Sequence, residues 1–384
     1  MGLQEKVMQE MKAAIWQKGE LRLATLPVPE IESDGVLLEV LNVGICGTDH
    51  SMMKSGGLAE GTILGHEVCG RVAACGTAVR GVAKGARVIV RPTSCGKCRD
   101  CRAGRPYFCQ DGRRSIGIGD MPGAFAEYVA VYPEMLIAVP DEVDNQNAAL
   151  AEAFAAALHG INCIDIDKGP VLVIGGGPIG LAAISLLGVM GIAPIVLSEP
   201  LAVKRSLASR LGAAHTLDPF KDDMDRRIFD ITAGVGFEAV LECSGVPDNI
   251  QKALDWVARG GDICVVSMIF APAPIVPMTL NFKEARLTGC YSNTHAENRQ
   301  CLDWMAEGRL DGRPLITDVI DLAQLPDGGT ADVMLQPTDR VLFFTRPDCA
   351  SCDALLRRLL KRVDTLAGVD IYLLGLPNND DKAV

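Results

Sequence analysis

The sequence predicts an α/β protein: a β-rich first part, a doubly wound parallel sheet, and a C-terminal βαβ extension. Three observations predict this. Residues 11–140 alternate short apolar strands with Gly, Pro and Asp turns, as in GVLLEVLNVG, GARVIVRP and FAEYVAVYP, which is the pattern of antiparallel sheet. Near residue 148 the texture changes, and the Ala-rich, helical AALAEAFAAALHGINCI is followed by strands and helices in alternation: VLVIGGG, PIGLAAISLLGVMG, APIVLSE, KRSLASRLGA, EAVLECSG and GDICVVSM. That alternation implies a parallel sheet with helices on both faces. Residues 286–325 return to mixed texture, and from about 338 the chain again reads strand, helix, strand.

The bulk composition narrows the function classes. With 384 residues the chain can form two or three domains around a large core, and its 48% apolar and 22% charged content is that of an ordinary globular protein. A formal net charge of -11 disfavours nucleic acid and anionic membranes as partners. There is no apolar run of membrane-spanning length and MGLQEKVMQEMK does not resemble a signal peptide, so a cytoplasmic protein is expected. In a reducing compartment the fourteen cysteines point to metal ligation or redox chemistry, with the remainder buried as small hydrophobes.

Gly175-Gly176-Gly177-Pro178-Ile179-Gly180 is a G-x-G-x-x-G motif that follows the apolar strand VLVI and opens an apolar helix. Gly175 permits the tight turn, Gly177 lets a pyrophosphate approach the backbone, and Gly180 lets the helix pack on the strand. The phosphate would sit at the helix start. The next strand, IVLSE, ends in Glu199, 19 residues after Gly180. An acid there accepts hydrogen bonds from ribose hydroxyls and repels a 2′-phosphate, which favours NAD over NADP. Lys204 and Arg205 lie close by and act against that preference.

Two further patterns concern metals. CGKCRDCRAGRPYFC supplies Cys95, Cys98, Cys101 and Cys109. Tight Cys-x-x-Cys knuckles suit a closed, structural, four-thiolate zinc site; an iron–sulfur cluster and disulfides are the competing readings. Separately, GICGTDH supplies Cys46, Thr48, Asp49 and His50, GHEVCG supplies His66 and Glu67, and LAEAFAAALHG supplies Glu152. One thiolate, one imidazole and one or two carboxylates make an open zinc site with a position left for water or a substrate oxygen.

Taken together, GICGTD, GHE, the four-cysteine loop, GGGPIG and ECSG make residues 11 to about 325 resemble the zinc-dependent medium-chain alcohol dehydrogenases, on the branch with threonine, sorbitol and 2,3-butanediol dehydrogenases. The resemblance implies a GroES-like catalytic domain over 11–153, a Rossmann NAD-binding domain over 154–288, a return to the catalytic domain over 289–340, and a tail over 341–384. It implies two zinc ions, one catalytic and one structural. Cys46, His66 and Glu67 or Glu152 would hold the catalytic ion, Thr48 would pass on the alcohol proton, and NAD would accept the hydride. A small-molecule alcohol is the implied substrate: a secondary alcohol, diol, polyol or threonine-like compound. A homo-oligomer, dimer or tetramer, is the implied assembly.

The chain departs from that family in places. The relay histidine of relatives is commonly five residues after the zinc cysteine, whereas here His50 is four after Cys46 and Ser51 occupies the next position. The relay then runs through His50, through Ser51, or directly to water. Ala153 stands where many relatives have proline. Gly328-Gly329 interrupts an expected helix, and the tail carries Cys349 and Cys352 in a thioredoxin-like Cys-x-x-Cys at the start of an apolar-striped helix. This half of a thioredoxin fold reads either as an appended remnant or as a redox element, and two competing functions follow: a thiol–disulfide redox protein, or an inactive fusion.

Overall fold

The computed structural model describes residues 10–317 together with Val319 and Leu322. The expected Cys349–Cys352 tail lies outside the described residues. The chain opens with a hairpin of β1 (Glu10–Gln17) and β2 (Glu20–Pro27). Its two turn residues, Lys18 and Gly19, both have positive φ, 53° and 82°, the geometry that matches strand twist in a two-residue hairpin.

An antiparallel sheet follows, built from β3 (Val36–Gly44), β4 (Glu67–Cys75), β5 (Arg87–Val90), β6 (Tyr128–Val131) and β7 (Leu136–Ala138), in the order β6-β3-β4-β5-β7. Alternate residues Val36, Leu38, Val68, Val72, Val88 and Val90 point into one apolar core. Helix α1 (Gly47–Lys54) lies between β3 and β4, and the short α2 (Arg99–Arg102) lies in the four-cysteine loop.

The Ala-rich stretch forms two helices rather than one, α3 (Asn145–Ala149) and α4 (Ala151–Asn162), meeting at Leu150. Asp144 caps α3 by accepting the Asn147 N–H at 2.8 Å. Almost every residue of α4 from Ala153 to Ile161 is buried, because this helix packs between the two sheets' domains and against α5 and α10.

The second sheet is parallel and six-stranded: β8 (Val171–Ile174), β9 (Ile195–Ser198), β10 (His215–Leu217), β11 (Phe237–Glu242), β12 (Val257–Val265) and β13 (Arg286–Gly289). Its order, β10-β9-β8-β11-β12-β13, is the 3-2-1-4-5-6 arrangement of dinucleotide-binding folds, with the crevice where the winding direction reverses next to β8. Helices α5 (Pro178–Val189), α6 (Ala202–Arg210), α7 (Met224–Thr232), α8 (Asn249–Trp256), α9 (Pro277–Lys283) and α10 (His295–Ala306) complete it. Its central strands β8 and β9 are continuous apolar runs because both faces are covered: they are buried throughout, and their side chains divide between two separate cores. No helix among the described residues is long and apolar enough to cross a membrane.

Candidate active site

The end of the antiparallel sheet gathers the first group of candidate ligands. Gly44, the last residue of β3, pairs with Glu67, the first of β4. A side chain at 44 would occupy the space of the Glu67 carboxylate, so glycine there makes room for it. Two residues on, Cys46 caps α1: its Sγ accepts the Thr48 N–H at 3.4 Å, while the Asp49 carboxylate accepts the Cys46 N–H at 2.9 Å. This reciprocal cap fixes the thiol at the mouth of the helix.

Ligand atoms of Cys46, His66 and Glu67 lie within 4.8 Å of one another. His66 and Glu67 are buried and Cys46 is half-buried. The fully buried Asp49 holds its Oδ1 3.4 Å from His66 Nδ1, a carboxylate–imidazole arrangement that leaves the other ring nitrogen for a metal. Glu152 is not one of this group but stands beside it. Its Oε1 accepts the Asn293 Nδ2 at 2.7 Å, and its charge acts on Glu67, His66 and Cys46. Thr48 and His50 sit on the first turn of α1.

The electrostatics fit a cation. Burial and then the neighbouring Glu152 charge push Glu67 up to about 7. Burial and then Glu67 push the Cys46 thiol up. Burial alone would lower His66, but hydrogen bonds to Asp49 and Cys46 and the charge of Glu152 outweigh it and push His66 up to about 12. Two carboxylates, a third at Asp49, and a thiol share a desolvated space with one imidazole, and the buried Arg91 charge acts on Glu152. A divalent ion supplies the missing positive charge, and one thiolate, one imidazole and one carboxylate suit zinc with an open position.

The four-cysteine loop also assembles. Cys95, Cys98, Cys101 and Cys109 hold their sulfurs within 4.8 Å of one another, with Cys95 and Cys101 Sγ 3.9 Å apart. Backbone N–H groups converge on these sulfurs: Cys98 N–H on Cys95 and Cys95 N–H on Cys109, each at 3.2 Å, and Cys101 N–H on Cys98 at 3.5 Å. Such donors stabilise thiolates, and four thiolates with no open position suit a closed structural zinc site.

At the parallel sheet, Gly175 adopts φ +98° where a side chain would strike Ser244, and Gly177 caps α5 ahead of Pro178 and Ile179. A Cβ on Gly177 would meet nothing within 4 Å, so that side of the turn is open to a phosphate. A side chain on Gly180 would collide with the Gly175 carbonyl. Glu199 is buried just past β9; Oε2 accepts the Gly176 N–H at 2.7 Å and Oε1 the Leu201 N–H at 2.9 Å. Lys204 stands over the same turn. The nicotinamide dinucleotide fits this cradle.

Sequence reasoning passed over Asn293 and left Asp49 without a role. Asn293 carries no motif signal, and its contact with Glu152 spans 141 residues. Asp49 had a signal, since it stands at the third position of a helix whose cap is Cys46.

Comparisons with known proteins agree with this geometry. Residues 32–141 match the family model for the alcohol dehydrogenase GroES-like domain, and residues 178–307 match that for zinc-binding dehydrogenases. The chain is 31% identical to a sorbitol dehydrogenase of Bacillus subtilis over 334 residues, covering 84% of this chain and 93% of that protein. It is 32% identical to an L-threonine 3-dehydrogenase of Rhizobium rhizogenes over 327 residues, covering 83% and 94%. Among solved structures, a zinc-binding dehydrogenase from Sinorhizobium meliloti 1021 bound to NADP superposes with a TM-score of 0.74 at 32% identity, covering 80% of this chain and 92% of that one. A GroES-like sheet with a dinucleotide-binding sheet, two metal-ligand clusters and this breadth of similarity lead to one conclusion: the chain belongs to the zinc-binding alcohol dehydrogenase family, enzymes that use zinc and a nicotinamide dinucleotide.

Proposed function

We propose that this chain oxidises a secondary alcohol, diol or polyol, or a threonine-like β-hydroxy compound, with NAD as hydride acceptor. The observation that carries the reading is the buried Cys46–His66–Glu67 cluster beside Glu152. Bound there, zinc supplies Lewis acidity to an alcohol oxygen and lowers its pKa, and NAD supplies the hydride-accepting ring. The chain's own residues do the rest. Asp49 orients His66, and Asn293 orients Glu152 next to the ligands. Thr48, two residues after Cys46 on α1, receives the alcohol proton, and His50 on the same turn hands it outward. Ser51 is the weaker relay, because its hydroxyl donates to the Gly47 carbonyl within the helix at 3.0 Å.

The choice of NAD rests on Glu199 and its surroundings. Arg205, one of two basic residues near Glu199, is engaged by the Glu199 and Pro200 carbonyls, each at 2.7 Å, and by Asp218 at 3.1 Å. The Lys204 Cβ lies beside the Gly176 turn, where the buried Glu199 carboxylate also stands. Domain limits of 11–153, 154–288 and 289–340 accompany this reading, with α4 running across the first boundary. A cytoplasmic setting, which keeps thiols reduced, suits two cysteine-bearing metal sites.

A homo-oligomer is part of the same proposal. β13 is an edge strand with Leu287 exposed, and α9, packed beside β12, exposes Met278 and Phe282. An apolar edge of this kind pairs with another chain. Light scattering of Leu287→Lys against wild type checks it; an unchanged mass would remove this surface from the interface.

The test of the activity is NADH formation by zinc-loaded protein over a panel of secondary alcohols, diols, polyols and threonine, beside Cys46→Ala. Turnover is expected in wild type and none in a folded Cys46→Ala. Full activity in that variant would sink the zinc reading.

A further inference from the structure

A second group of thiols lies apart from both metal-ligand clusters. Cys264 belongs to β12, Cys290 directly follows β13, and Cys163 follows α4. Parallel register brings the first two together: Val265 pairs with Gly289, and the Cys290 N–H donates to the Val265 carbonyl at 3.2 Å. Cys264 sits in the buried core cluster, and Cys290 and Cys163 pack against it. Helix α4 closes over them at Gly160, where an added Cβ would stand 3.4 Å from Cys290 Sγ.

The residue before that glycine is His159. Its Nδ1 lies 2.9 Å from Glu297 Oε1, and its Nε2 lies 3.8 Å from Cys163 Sγ. Asn162 Nδ2 donates to the same Glu297 oxygen at 3.0 Å, and the Tyr107 ring packs edge-on against the imidazole. A carboxylate orients an imidazole, and the imidazole faces the Cys163 thiol, while its positive charge also acts on Cys290.

The three thiols are not equivalent. The hydrogen bond from Cys264 and the positive charge of His159 pull the Cys290 thiol down. Cys264 is pushed up by that same hydrogen bond and by burial, and burial pushes Cys163 up to about 11. Cys290 is therefore the more acidic of the neighbouring thiols. Cys290 is half-buried at the carboxyl edge of the sheet, while Cys264 is buried.

We propose that Cys290 is a modification site for small hydroperoxides and that Cys264 resolves it as an intramolecular disulfide. The Cys290 thiolate attacks one peroxide oxygen; the O–O bond breaks, an S–O bond forms, and the departing hydroxide or alkoxide takes a proton from solvent to leave as water or, for an alkyl hydroperoxide, as alcohol. The Cys264 thiol then attacks the Cys290 sulfenic acid; the S–O bond breaks, the S–S bond forms, and the Cys264 proton leaves with the hydroxyl as a second water. The sulfur pair loses two electrons and the peroxide gains them.

The test is peptide mass spectrometry of zinc-loaded, full-length protein after brief exposure to hydrogen peroxide. A Cys264–Cys290 disulfide, reversed by dithiothreitol, is expected before oxidation at Cys46 or in the four-cysteine loop. In Cys264→Ser the sulfenic acid persists and dimedone labels Cys290. In Glu297→Gln, which releases His159 from its carboxylate, Cys290 labelling slows by about tenfold. Should the variants not fold, iodoacetamide labelling of wild type decides: Cys290 is expected to react faster than Cys75, another half-buried thiol. Reaction at Cys290 no faster than at Cys75, or peroxide oxidation that bypasses Cys290, overturns the proposal.

Discussion

Asn293 Nδ2 donates to Glu152 Oε1 at 2.7 Å, joining the segment after β13 to the helix that borders the metal ligands. Asn293 is itself held fast: Asn298 Nδ2 donates to its Oδ1 at 2.8 Å, and Arg91 donates to its carbonyl at 3.4 Å. Residues of this kind orient a charge without touching substrate. Asn293→Ala is expected to lower kcat/KM by roughly 10–100-fold with the bound zinc retained. Asn293→Asp is expected to cost more, since it sets a second carboxylate against Glu152. Steady-state kinetics with metal analysis check both, and wild-type kinetics in Asn293→Ala would remove the positioning role.

The four-cysteine loop has no open position and lies apart from the reacting centre, so its loss affects stability before chemistry. Cys98→Ser is expected to lose one of two bound zinc ions and to unfold at lower temperature than wild type. Zinc analysis and thermal denaturation measure this. A variant with the same zinc content would assign the loop another role.

Glu199 stands where a ribose would be read, with Arg205 already engaged. Glu199→Ser removes the repulsion of a 2′-phosphate. The NADP-to-NAD ratio of kcat/KM is expected to rise on the order of tenfold, ~1.4 kcal/mol. An unchanged ratio would move cofactor choice to other residues.

The His159–Glu297 pair links stability to pH. Burial opposes the charge on His159, but the hydrogen bond and charge of Glu297 raise it above its ordinary 6.5. Glu297, despite burial, is held below its ordinary 4.5 by His159 and Asn162. The histidine contribution is fully present below 6.5 and fades as pH rises through the raised value; the glutamate contribution is present above 4.5 and fades as pH falls through the lowered one. His159→Gln is therefore expected to lose roughly 1.5–3 kcal/mol between those two ordinary values and progressively less at alkaline pH. Denaturant unfolding across pH measures the difference, and a constant gap would mean that the pair does not titrate.

The sequence by itself determined what is local. The dinucleotide turn, the cysteine knuckles, and the Cys46 and His66–Glu67 segments are short patterns whose residues act within a few positions of one another. Spacing alone revealed them as candidates, although Asp49, which meets His66, comes from a different segment. The alternation of apolar strands and helices likewise implied the parallel sheet, because strands buried on both faces must be apolar throughout.

Tertiary structure decided everything that depends on distant segments meeting. Pairing of Gly44 with Glu67 brought Cys46 to the His66–Glu67 pair, with Glu152 beside the ligand set rather than within it. The folding of α10 onto α4 set Glu297 against His159, and the pairing of β12 and β13 put Cys290 beside Val265, the neighbour of Cys264. These contacts cross 138 residues in one case and two strands in the other. No periodicity encodes them, because strand register and helix packing, not sequence neighbours, bring those side chains together.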